Sequence, residues 1–103
     1  MMFKFCLIGN VSVINLQWSA FARADLLAIV DYISDDNADA AQRVFDDIRT
    51  KTDRLIDFPL MGRVGRIKGT RELVILGNYI VVYREDGSQV LVLRVMHSAQ
   101  QFP

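Results

Sequence analysis

Nine side chains in this sequence are of types that could do chemistry together: Arg63, Arg66, Lys68, Arg71, Tyr83, Arg84, Arg94, His97 and Phe102. Cations, one imidazole and aromatics near strand ends make a set that can handle RNA. Cleaving RNA without a metal takes a base for the 2′-hydroxyl and an acid for the leaving oxygen. It also takes cations for the charge that builds on the phosphate, and an aromatic ring to stack on a base. His97 and the arginines have the right chemistry for those roles. Against that, an isolated histidine just past a strand end is more often a surface or capping group.

Other chemistries find less support. His97 and Cys6 are the only imidazole and thiol, and the carboxylates have no ligand spacing, so no metal is expected. The glycines at 62, 65 and 69 match neither the phosphate loop that ends in Gly-Lys-Ser/Thr nor the dinucleotide fingerprint, so no cofactor is expected. A serine or cysteine nucleophile needs a base, and nothing beside Ser34, Ser88 or Cys6 supplies one; Ser98 next to His97 is adjacency without geometry.

These residues must be positioned by a chain of 103 residues, 51% apolar, with 12 basic and 12 acidic side chains. That is enough for one core and too apolar for disorder. A lone cysteine cannot build a disulfide framework, so a cytoplasmic protein is expected. Phe3 to Leu16 is mostly apolar behind Lys4, but Asn10, Ser12 and Asn15 interrupt it, and cleavage after Ala22 would remove the first helical turn. No stretch approaches the ~20 apolar residues of a membrane span. Residues 1–11 read as a possible N-terminal extension to a single domain over 12–103. The zero net charge hides an asymmetry. Residues 23–58 carry nine aspartates against five basic residues, whereas residues 59–84 set Arg63, Arg66, Lys68, Arg71 and Arg84 against Glu72 alone. Such a basic segment can attract a polyanion or an acidic protein, or pair with the acidic helices of its own domain.

The elements follow from periodicity. Val13 to Trp18 is rich in β-formers, and Ser19 can cap a helix over 20–34 whose Leu26, Ile29, Val30 and Ile33 share one face. Asn37 can cap a second helix in which Ala41, Val44, Phe45, Ile48, Thr52 and Leu55 keep the same spacing until Pro59. So short a connection makes the helices antiparallel. The glycines after Pro59 describe a mobile or tightly turning loop. Residues 71–76, 79–84 and 89–96 read as strands separated by Gly77-Asn78 and Asp86-Gly87 turns, hence an antiparallel meander. The expected fold is a two-layer α+β domain, β-α-α-β-β-β, with the first strand joining an antiparallel sheet under the helix hairpin. Trp18 and Tyr32 read as packing residues. Tyr79, Val81 and Tyr83 must share one face of their strand and Ile80, Val82 and Arg84 the other, but both faces are apolar and alternation does not say which is core.

Taken in order, Asp25-Leu26, Ile29, Asp31-Tyr32-Ile33, Pro59, Gly62-Arg63, Gly65-Arg66 and Gly69 to Val74 carry a resemblance that continues through Tyr79 to Arg84, Leu93 to His97 and Gln101-Phe102-Pro103. Over roughly residues 13–103 the chain resembles the RelE/ParE superfamily of toxins from type II toxin–antitoxin pairs. The resemblance implies a growth inhibitor held inactive by a cognate antitoxin that folds over its apolar grooves, with operator DNA bound only through the antitoxin. The superfamily does two jobs. ParE-like members act on DNA gyrase and RelE-like members cut mRNA on the ribosome without a metal. Zero net charge, few lysines, and Val74, Ile75, Gln100 and Gln101 near the end of the sheet favour the ParE-like job. In the endonuclease alternative, His97, Arg71 and Arg66 would be catalytic. In either, Arg63, Arg66, Lys68, Arg71, Arg84 and Phe102 are the candidates for gripping target or RNA. A non-toxic binding module on the same fold is the third alternative.

Overall fold

The computed structural model describes residues 15–97. Its elements are β1 (Asn15–Trp18), α1 (Ala20–Ser34), α2 (Ala38–Asp53), β2 (Arg63–Val64), β3 (Arg71–Ile75), β4 (Tyr79–Glu85) and β5 (Gln89–His97), with a 3-10 turn over Arg54–Ile56. The suggested extension over residues 1–11 lies outside the described residues.

α1 starts where it does because Ser19 is extended and its Oγ accepts the Ala22 N–H at 3.0 Å. Asn37 does the same for α2 through the Ala40 N–H. Ala22 and Leu26 of α1 and Ile48 of α2 are buried against Ile75, Tyr79, Val81, Val92 and Val95 of the sheet. Truncating Ile48, which is fully buried, would cost about 2–5 kcal/mol. The regular α2 ends at Asp53, ahead of Pro59. The tighter turn that follows puts Leu55 into a second buried cluster with Tyr83 and Val90. Trp18 packs on the core, whereas Tyr32 is exposed because it falls on the flank of α1 away from the buried stripe.

The strands run in the order β1-β5-β4-β3-β2. The meander β3-β4-β5 is antiparallel as the turns require, but β1 pairs with β5 in parallel, Asn15 opposite Gln89 and Trp18 opposite Val92. The sheet is therefore mixed where an all-antiparallel one was expected. The helix hairpin returns the chain to the start of the meander, and the three strands then alternate until β5 runs alongside β1. β2 also adds two residues of antiparallel pairing to β3 from within the glycine-rich loop. Burial settles the two faces of β4. Tyr79, Val81 and Tyr83 belong to the clusters that include helix and 3-10 residues, while Ile80 and Val82 join Met96 and Leu93 on the other face. A register shift at Val82/Tyr83 sets Val82 opposite Arg94 and Tyr83 opposite Val92, so Val92 and Val95 face the helices although three residues apart.

β1 covers β5 only as far as Val92, and the start of α1 covers part of what remains. Ser19 Oγ donates to the Leu93 carbonyl at 2.9 Å, and the Val95 N–H donates to Asp25 at 3.0 Å. Arg94 grips the same carboxylate through Nε at 2.7 Å and Nη2 at 3.0 Å, with its guanidinium 5.8 Å from the centre of the Phe21 ring. Capping of an edge by side chains leaves fewer backbone groups free to pair with another chain.

Candidate functional site

The basic loop between the 3-10 turn and β3 is held by three side chains from the sheet. Tyr83, fully buried on β4, donates its hydroxyl to the Pro59 carbonyl at 2.7 Å and accepts the Gly62 N–H at 3.0 Å. Arg71 donates Nη1 to the Gly62 carbonyl at 2.7 Å and, longer, to that of Leu60 at 3.4 Å. Glu72, 3% exposed, accepts Arg63 on one oxygen, at 3.0 and 3.2 Å, and the Arg66 N–H on the other at 3.2 Å. Within the loop, the Gly65 N–H bonds to the Thr70 carbonyl, and the Thr70 hydroxyl to that of Ile67.

Two glycines permit this course by close approach. A Cβ on Gly62 would stand 2.7 Å from the Tyr83 hydroxyl and 2.9 Å from the Glu72 carbonyl, and one on Gly65 would overlap Thr70 Oγ1. Gly69, at φ 84°, supplies a left-handed turn instead. Of the two forms the glycines allowed, the loop takes the tightly turned one.

The electrostatics agree with these roles. Burial pushes the Tyr83 hydroxyl above its ordinary pKa, against the opposing pull of its Gly62 hydrogen bond and the Arg71 charge. Arg94 is held further into its charged form by its hydrogen bonds and charge attraction to Asp25. Asp86, in the β4-β5 turn, lies below the usual carboxylate range because the Ser88 and Gln89 N–H groups and the Ser88 hydroxyl all donate to it.

The candidate residues do not gather in one place. Arg63, Arg66 and Lys68 lie on the loop, Arg71 at the start of β3 and Arg84 near the end of β4. His97 is the last residue of β5, opposite Tyr79, and the two rings meet edge to face with centroids 5.3 Å apart. Arg71 stands opposite Tyr83, four residues further along β4 and on its other side. By strand geometry the Cα atoms of His97 and Arg71 are about 16 Å apart. The Arg71 guanidinium turns to the loop carbonyls. His97 and Arg71 thus stand at opposite ends of β4 on its two flanking strands, and Phe102 lies outside the described residues. Among the described residues, no group of three His, Cys, Asp or Glu side chains could hold a metal ion, and no helix is long and apolar enough to cross a membrane.

Sequence reasoning missed Glu72 as the anchor of the loop and Asp25 as the clamp on β5. A signal existed for the first. Glu72 is the one acidic residue among the cations of 59–84, and a single carboxylate in such a run is a natural ion-pair centre.

Comparison with known proteins completes the picture. Residues 16–102 match the family described as the ParE toxin of the type II toxin–antitoxin system parDE. A putative toxin of Sinorhizobium fredii, Y4kP, is 45% identical over 90 residues, covering 86% of this chain and 93% of that protein. Toxin RelE2 of Caulobacter vibrioides is 36% identical over 86 residues, covering 84% and 97% respectively. Among solved structures, a chain of the chromosomal ParDE system from P. aeruginosa superposes with a TM-score of 0.74 at 25% identity, covering 82% of this chain and 96% of that one. A chain of the RelBE2 toxin–antitoxin complex from Mycobacterium tuberculosis gives 0.64 at 25% identity, covering 84% and 99%. The chain belongs to the ParE toxin family, within the RelE/ParE superfamily, and is the toxin of a type II toxin–antitoxin system.

Proposed function

We propose that this toxin acts in the cytoplasm in the ParE-like manner, arresting growth by holding DNA gyrase, and that an antitoxin encoded beside it neutralises it by folding over its surface. The observation that carries the reading is the dispersal of the acid–base groups. His97 sits against Tyr79 at one end of β4, and Arg71 is spent on loop carbonyls at the other. General acid–base cleavage of RNA asks for those groups within hydrogen-bond reach of one phosphodiester. Binding a protein asks only for a rigid, chemically mixed surface, and the loop provides one. That activity is assigned to the single domain proposed over residues 12–103. The expected antitoxin partnership draws support from the solved relatives, which are components of ParDE and RelBE2 toxin–antitoxin assemblies.

The test is induction of the chain in cells with and without the neighbouring reading frame, followed by plasmid topology and message integrity. Growth arrest with relaxed plasmids and intact messages, relieved by the neighbour, is the expected result. Arrest with messages cut at the ribosomal A site would establish the endonuclease instead, and unhindered growth would leave only the non-toxic binding module.

A further inference from the structure

The loop that the sheet holds so firmly does not hide its apolar side chains. Phe58, Leu60, Met61, Val64 and Ile67 are five of the ten large apolar residues that the described part of the chain leaves exposed, and they fall within ten positions. Val64, on the outermost strand, is 78% exposed. Between 58 and 70 the sequence has Arg63, Arg66 and Lys68 and no acidic residue. Buried Glu72, Tyr83 and the Arg71 guanidinium all act on the backbone of this segment, so its exposed side chains are presented on a fixed frame. A surface ordered before binding loses less entropy when a partner arrives.

We propose that residues 58–68 form the gripping face of the toxin, and that its partner is an acidic protein surface with apolar sockets for Leu60, Val64 and Ile67. The proposal rests on the reading that the target is a protein, and it names the surface that reading leaves unassigned. Aliphatic anchors select this chemistry. Single-stranded RNA is held by aromatic stacking and phosphate contacts; of the five exposed apolar side chains here Phe58 alone could stack on a base, and Leu60, Met61, Val64 and Ile67 could not. Protein interfaces instead combine buried apolar anchors with a charged rim. Arg63, Arg66 and Lys68 against the single carboxylate of Glu72 leave this face net positive, and negative charge opposite it favours association.

The experiment compares wild type, the double variant Leu60→Ser with Val64→Ser, Ile67→Ser alone, and Lys68→Glu. Each is tested for growth arrest against inducer dose, for co-purification with the product of the neighbouring frame, for thermal unfolding, and for inhibition of purified gyrase. The double variant and Lys68→Glu should each weaken arrest by about tenfold or more, as expected where an interface loses an anchor or a charge. Antitoxin capture and unfolding temperature should stay as in wild type. Should the double variant fail to fold, Ile67→Ser carries the apolar arm with the same expected sign. Full arrest by the serine variants overturns the proposal. So does loss of antitoxin capture, which would assign the face to the antitoxin, and so does sensitivity to Lys68→Glu alone, which would assign it to a polyanion. If wild type arrests growth while gyrase runs unhindered and messages stay intact, but the serine variants are tenfold weaker, the face stands and gyrase is the wrong target.

Discussion

Replacing Tyr83 by Phe keeps the buried ring and removes one oxygen. That oxygen makes two hydrogen bonds, to the Pro59 carbonyl and from the Gly62 N–H. Each is worth about 1 kcal/mol net, and the Gly62 N–H, left in a buried site with no partner, adds to the loss, so Tyr83→Phe should cost about 2–3 kcal/mol. For a domain of this size that is a fall in unfolding temperature of roughly 8–20 °C. Because both bonds end on the loop, the loss is local as well as global, and amide exchange at Gly62 should quicken more than at β4 or β5. The pH dependence has a definite sign. Burial raises the folded-state pKa of Tyr83 above its ordinary value near 10. Its stabilising contribution is therefore complete below pH 10 and is lost as the pH climbs through the raised value. Wild type should lose that increment under alkaline conditions and Tyr83→Phe should not. Calorimetry at pH 8 and above pH 10, with amide exchange at neutral pH, reads all three effects. An unfolding temperature within about 2 °C of wild type at neutral pH, with unchanged exchange at Gly62, would refute the view that Tyr83 anchors the loop.

Other substitutions probe the remaining contacts. Gly65→Ala places a methyl on Thr70 Oγ1 and so opposes the bond from the Gly65 N–H to the Thr70 carbonyl; a loss of about 1–3 kcal/mol is expected, with faster proteolysis inside 59–70. Asp25→Ala frees Arg94 and the Val95 N–H together, and thermal unfolding should report a loss of about 1–2 kcal/mol, since the pair is partly exposed. Light scattering should then show concentration-dependent association through the uncapped edge of β5. Asp86 has a depressed pKa, so its contribution to the β4-β5 turn is present above its ordinary value near 3.8 and is lost as the pH falls through the lowered one. Asp86→Ala should remove that part of the acid dependence, as measured by unfolding between pH 2 and 6.

How much of this was legible in the sequence depended on how local the signal was. α1 is bounded by Ser19, whose side chain takes the Ala22 N–H, and by Asp35-Asp36-Asn37, whose backbone N–H groups bond back to Asp31 and Ile33, all contacts within three or four positions. The β4-β5 turn is equally local, since Asp86 captures Ser88 and Gln89 itself and the Gly87 N–H donates to Glu85. The parallel pairing of β1 with β5 joins residues 74 positions apart, and no local pattern encodes it. The face of β4 that meets the helices was hidden because both faces are apolar, and the far one is also buried, through Ile80 and Val82. The candidate site was obscured for a different reason. Arg71 and Arg63 look like ligands for an external anion, yet their nearest acceptors are the loop carbonyls and Glu72. Residue type gives the capacity to bind an anion, and only the fold shows how much of it goes to internal acceptors.

The most direct test of a toxin that grips without cutting is a supercoiling assay with purified gyrase, run with wild type and His97→Ala and with an end-labelled message on ribosomes in a parallel reaction. Both proteins should block supercoiling to the same extent and leave the message whole. Unimpeded supercoiling together with a message cut in a His97-dependent manner would contradict the account.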